Sequence, residues 1–180
     1  RLLPGASSRG PIRDLARFYA MLLGGGELEG RRLLLPQTVE ALVARHRTGL
    51  YDHTFAHIVD WGLGFIVNSA AYGVETVPYG YGRHASARTF GHGGHQSSSA
   101  FADPEHGLVV ALAVNGMPGA EVHHRRFFQL LNEAKNRLAV RASLESYAVV
   151  LPPDPSPKAS PEAWALTDAL VRQLDQEVRA

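Results

Sequence analysis

The sequence contains no cysteine, and lysine is nearly missing as well: of 18 basic residues only Lys135 and Lys158 are lysines. The first absence removes disulfides, thiolate metal sites, iron–sulfur clusters and a cysteine nucleophile, while leaving the cellular compartment open. The second leaves any mechanism that needs a catalytic lysine with two positions to draw on. Charge of one sign is not in excess either: 18 Lys+Arg stand against 17 Asp+Glu, a formal net charge of +1. That balance provides no domain-wide field for nucleic acid or an anionic membrane surface. Long apolar runs are also missing. The longest, Leu108 to Val114, falls far short of the ~18 residues of a membrane span. Arg1-Leu2-Leu3-Pro4-Gly5 has neither an initiating methionine nor the pattern of a secretory signal, so the chain is expected to be a piece of a longer polypeptide. Its 180 residues suffice for one compact domain, which would bury about 70% of the surface that its unfolded chain exposes.

What is present reads as helices around a sheet. Leu15, Phe18, Tyr19, Leu22 and Leu23 recur at the spacing of one helix face, and Gly24-Gly25-Gly26 stops that helix. Pro36 opens a second helix with Val39, Leu42 and Val43 on one side, expected to fray near His46 to Gly49. Trp61 to Asn68 alternates small or polar with large apolar residues and reads as one strand, whose glycines imply close approach of another backbone. Ala70 to Arg88 lacks a sustained period and reads as a weak strand plus loop. Ser97 to Ala102 and Leu108 to Asn115, joined by Asp103-Pro104-Glu105-His106-Gly107, predict an antiparallel hairpin whose second strand is covered on both faces. A further helix after Gly119 would bury Val122, Phe127, Leu130, Leu131, Ala134 and Leu138. Residues 141–161 are expected to be a linker, proline-rich from Leu151 to Pro161. Residues 162–180 are expected to form an amphipathic helix with Trp164, Val171, Leu174 and Val178 on one side.

The densest polar cluster is Phe90-Gly91-His92-Gly93-Gly94-His95-Gln96-Ser97-Ser98-Ser99. Glycines around a histidine on a strand edge let a ligand approach backbone N–H groups, which can stabilise an oxyanion. The plain alternative is a glycine-bearing strand with a surface histidine.

Taken together, Asp14 to Gly26 with Leu35-Pro36, then Trp61-Gly62-Leu63-Gly64-Phe65, then Phe90-Gly91-His92-Gly93-Gly94 running into Phe101 to Leu108 and Val114-Asn115, carry a likeness. The chain resembles the C-terminal half of the serine β-lactamase and penicillin-binding-protein superfamily, in its class C and esterase-like branch, over about residues 5 to 140. The resemblance implies an α+β fold: an antiparallel sheet flanked by helices, with only the C-terminal half present. Residues 1–140 would be the C-terminal portion of that domain, and its missing N-terminal portion would be a partner that completes the sheet.

In that superfamily a Lys-Thr-Gly or His-x-Gly triplet lies on the strand beside the nucleophile, and His92-Gly93-Gly94 matches it. The resemblance implies that His92 positions or polarises the catalytic network and that the backbone N–H of His95 is an oxyanion donor. Gly93, Gly94 and Gln96 would line the substrate, an ester or amide of the ester, β-lactam or D-amino-acid peptide class. Gln96-Ser97 stand where the family often has glycines. The superfamily's Ser-x-x-Lys is missing: Asn132 and Pro155 precede the two lysines by three. None of the six tyrosines begins a Tyr-x-Asn. The chain would therefore supply one wall of a catalytic cleft, with no cofactor or metal implied. A non-catalytic binding or structural module on the same scaffold is the rival.

Weaker constellations remain. His92 with His95, or His123 with His124, invite a zinc reading that the three-residue spacing on a strand disfavours. A triad of histidine, one of Ser97, Ser98 or Ser99, and Asp103 is a paper possibility. Asp52 and Asp60 read as hydrogen-bonding loop residues rather than general acids.

Overall fold

The computed structural model describes residues 10–95, 98–114 and 146–151, together with single positions between 119 and 132. Ile12–Leu23 forms helix α1. Gly24, Gly25 and Gly26 end it by returning their N–H groups to the Ala20, Leu22 and Met21 carbonyls. Gly25 adopts φ +65°, a backbone that favours glycine. A small hairpin follows, β1 (Glu27–Leu28) with β2 (Arg31–Arg32), then helix α2 (Pro36–Val43) with proline in its first turn. A second small hairpin pairs β3 (Tyr51–Asp52) with β4 (His57–Ile58). Neither hairpin is anticipated from the sequence, because two-residue strands carry no period to read.

The main sheet has six antiparallel strands in the order β10-β9-β8-β7-β6-β5. They are β5 (Asp60–Trp61), β6 (Ile66–Val67), β7 (Phe90–Gly93), β8 (Ser98–Asp103), β9 (Leu108–Val114) and β10 (Ser146–Leu151). The hairpin expected at 97–115 is present as β8 and β9, in register from Ser98↔Ala113 to Asp103↔Leu108. Helix α1 lies across β8, β9 and β10. It buries Ala16, Tyr19, Met21 and Leu22 with Phe65, Phe90, Ala100, Ala102, Val109 and Ala111. The opposite face packs Val59, Ile66, Val77, Tyr81, Phe101, Val110 and Leu112 against Phe127 and Leu131, which are helical positions after Gly119. The α+β sandwich, a sheet with helices on both faces, is thus the fold.

Four expectations need correction. Trp61 to Asn68 is two short strands: Gly62 to Phe65 turns the chain back, with Gly64 at φ +87°. The expected close approach is nevertheless there, because a side chain at Gly62 would overlap the Leu42 carbonyl oxygen. On α1 Tyr19 and Leu22 are buried as expected, but Leu15 and Phe18 are exposed, and Ala16 and Met21 are sealed in their place. Residues 70–88 contain a short 3-10 turn at Ala70–Tyr72 and no strand. Last, Ser146–Leu151 lies within the segment expected to be linker, yet it pairs along β9 from Ser146↔Val114 to Leu151↔Val109. The proline-rich stretch begins beyond it. The C-terminal segment 162–180 lies outside the described residues.

Candidate active site

The polar cluster on β7 is held from below by Phe90, which is buried against Phe65 and Tyr19 with ring centroids 5.6 and 6.4 Å away. Such a burial contributes about 2–3 kcal/mol. Gly91 comes next because β8 passes directly over it: any side chain there would overlap the Ala100 carbonyl oxygen and run into Phe101. These two residues fix where His92 begins.

The inner strand β6 is only two residues long and pairs with Phe90 and Gly91 alone. Beyond Gly91 no described strand covers that side of β7. Gly94 donates its N–H to the Ser98 carbonyl at 2.8 Å, on the β8 side. The peptide between Gly93 and Gly94 is planar and trans, so the Gly93 carbonyl on its other end points away from β8, into the uncovered edge. His92 reaches that same oxygen. Its Nδ1 lies 2.6 Å from it and donates, since a carbonyl can only accept.

Two aromatic rings flank the imidazole. Trp61 lies 5.6 Å from it between centroids and Tyr79 6.2 Å. Phe55 joins the two, stacked on Trp61 at 5.7 Å and edge-on to Tyr79 at 5.3 Å. Tyr79 has an unusual backbone for a bulky residue, φ +55°, and its ring covers the Cα of Gly93. The Trp61 indole N–H is buried with no hydrogen-bond partner among the described residues.

Of the residues singled out from the sequence, His92, Gly93 and Gly94 come together on this edge, and His95 follows as an exposed position. Gln96 and Ser97 lie outside the described residues. The glycines leave no empty space above the strand. The room at Gly93 is filled by the Tyr79 ring and that at Gly94 by the Ser98 hydroxyl. Access to the backbone is therefore from the open edge and not from the face. Sequence reasoning missed Phe55 and Tyr79, which sit in stretches without periodicity; the only local signal was Tyr79-Gly80-Tyr81-Gly82.

The alternative triad is not assembled. Asp103 is fully buried at the far end of β8, where it accepts from the Ser86 N–H at 2.9 Å and bonds the His106 Nδ1 at 2.8 Å. It lies four residue steps along the strand from Ser99, about 13 Å of chain, and Ser99 is the register partner of Gly93. Among the described residues no three histidines or carboxylates gather as a metal site. His123 is outside the described residues. His124 bonds the Glu75 carbonyl, and burial, with His57 nearby, lowers its pKa. Asp60 accepts from Arg45 Nε at 3.0 Å, the Gly49 N–H and the Tyr72 hydroxyl. Asp52 caps its own turn through the Thr54 and Phe55 N–H groups and pairs with Arg47. Burial alone would raise Asp52, but the Phe55 N–H, Arg47 and the Thr54 N–H outweigh it and hold the carboxyl below its ordinary value. Both aspartates are occupied by loop construction.

Comparison with known proteins bears on what such an edge does. The Beta-lactamase family profile matches residues 3–135. A curated relative, the esterase/beta-lactamase LipL of Mycobacterium tuberculosis, is 28% identical over 155 residues, which is 83% of this chain and 32% of the relative. A crystal structure of a novel penicillin-binding protein homolog from Caulobacter crescentus superposes with a TM-score of 0.56 at 34% identity. That match covers 69% of this chain and 31% of the solved one. The chain spans about a third of the length of the relatives it matches.

Proposed function

The chain belongs to the beta-lactamase family, and from that premise we propose that it forms the substrate wall of a serine hydrolase that cleaves an ester or amide through an acyl-enzyme. In this reading the open edge of β7 receives the substrate. His92 takes part in the hydrogen-bond network of the reacting hydroxyl, and the His95 backbone N–H donates to the oxyanion. One such donor is worth about 3 kcal/mol in comparable hydrolases. Gly93, Gly94 and Gln96 line the acyl group. The nucleophilic serine and its lysine would come from outside these 180 residues, as no Ser-x-x-Lys occurs within them. The observation that supports the reading best is the uncovered end of β7, where an imidazole and an outward carbonyl meet on a strand that is otherwise fully paired.

Of the two activities in the name of the mycobacterial relative, esterase and beta-lactamase, the ester class is the one we favour for this chain, because histidine stands where the family's lysine is common. A non-catalytic module on the same scaffold is the second reading, favoured by the filled space above Gly93 and Gly94. Covalent probes separate the two. The 180-residue chain alone should take up no fluorophosphonate or β-lactam label, whereas the polypeptide that includes the preceding sequence should be labelled at a serine outside the chain. Stoichiometric labelling of a serine within the chain would overturn the assignment of the nucleophile, and no labelling of either form would favour the module. In the labelled form, His92→Ala should lower turnover roughly 100-fold, the lower end for loss of a proton-handling group.

A further inference from the structure

His92 is held on more than one side. Its Nδ1 is committed to the Gly93 carbonyl, a backbone atom fixed in direction by the Gly94 N–H on β8. The backbone of Trp61 is itself held: its main-chain N–H donates to the Arg47 carbonyl at 2.9 Å, and its carbonyl accepts from the His46 and Arg47 N–H groups. Tyr79 packs on Gly93 and against Phe55, which touches both rings. An imidazole whose Nδ1 must donate has, when neutral, its lone pair on Nε2.

We propose that Trp61 and Tyr79 are positioning residues that clamp His92 in the Nδ1–H form, so that Nε2 faces the open edge of β7 as a hydrogen-bond acceptor. A lysine in this place could only donate. The clamped imidazole accepts from a hydroxyl or N–H of the reacting groups, and so turns the edge from a cation site into a neutral one. The inference rests on the hydrolase reading for its catalytic meaning, but its geometry and its test concern this chain alone.

The test is long-range proton–nitrogen correlation NMR on the nitrogen-15-labelled 180-residue chain at about pH 8, above the ordinary histidine range. The His92 signals are identified by their loss in His92→Gln. The expected pattern is a protonated Nδ1 and a bare Nε2, the reverse of the form that free imidazole side chains prefer. Trp61→Ala and Tyr79→Leu should each shift His92 towards the free-imidazole pattern, and Trp61→Phe should keep the wild-type one. A wild-type His92 protonated at Nε2, or an unchanged His92 in both Trp61→Ala and Tyr79→Leu, would overturn the proposal. If the truncations unfold the chain, the wild-type pattern and Trp61→Phe decide it. No activity is measured, so an inactive protein leaves the outcome intact.

Discussion

Two glycines two residues apart on β7 do different work, and substitution tells them apart. At Gly91 a methyl group would meet the backbone of β8 at Ala100 and Phe101, which cannot retreat without breaking the register of the sheet. At Gly93 it would meet the ring of Tyr79, which can swing outward on its own side chain. Gly91→Ala is therefore expected to destabilise by about 3 kcal/mol and Gly93→Ala by about 1 kcal/mol, the upper and lower ends for overpacking. Urea midpoints of the two variants check the order; a Gly93 variant as unstable as the Gly91 one would mean that Tyr79 is not free to move. The sequence announced a cluster of glycines around His92, but not that each has a different neighbour. That knowledge depends on residues about 10 and 14 positions away, and local pattern cannot supply it.

At the scale of elements, legibility followed length. The seven-residue apolar run of β9 and its turn at Asp103 to Gly107 could be read almost to the residue, because a long strand and a proline–glycine turn each carry their own signal. α1 was legible as a helix but only partly in its buried face: Leu15 and Phe18 are as apolar as the positions actually buried, and only the sheet beneath decides between adjacent stripes. The hairpin of β3 and β4 left no trace in the sequence, although it has its own electrostatics through Asp52. Since the folded carboxyl of Asp52 is depressed, its contribution to stability is complete above the ordinary aspartate value of about 4 and is lost as pH falls through the lower folded value. Asp52→Asn should accordingly flatten the acid side of a plot of urea midpoint against pH, while changing little of its shape above pH ~5. An acid limb identical to that of the wild type would assign the acid loss to other carboxylates.

For the whole molecule, the exposed apolar side chains are the feature to account for. Phe18 is 42% exposed, and Leu33, Leu35, Leu50 and Leu63 each exceed half exposure. Such exposed apolar side chains fit our proposal that a segment outside these 180 residues packs on this chain. The isolated 180 residues are expected to bind a hydrophobic dye and to self-associate, as seen by fluorescence and light scattering; a monomer that unfolds in one cooperative step without dye binding would refute the half-domain view. The fold class was legible from the order of its pieces, whereas the aromatic clamp on His92 was not, because it joins segments 55, 61, 79 and 92 that only the folded chain brings into contact.

The strands of the main sheet shorten steadily from seven residues in β9 to six in β8, four in β7 and two in β6 and β5. Cooperative hydrogen bonding thins out in the same direction, so the free energy of local unfolding falls from the centre of the sheet to its rim. His92 sits where that gradient is steepest. The backbone amides of β5 and β6 are therefore expected to exchange with solvent before those of the β8–β9 hairpin.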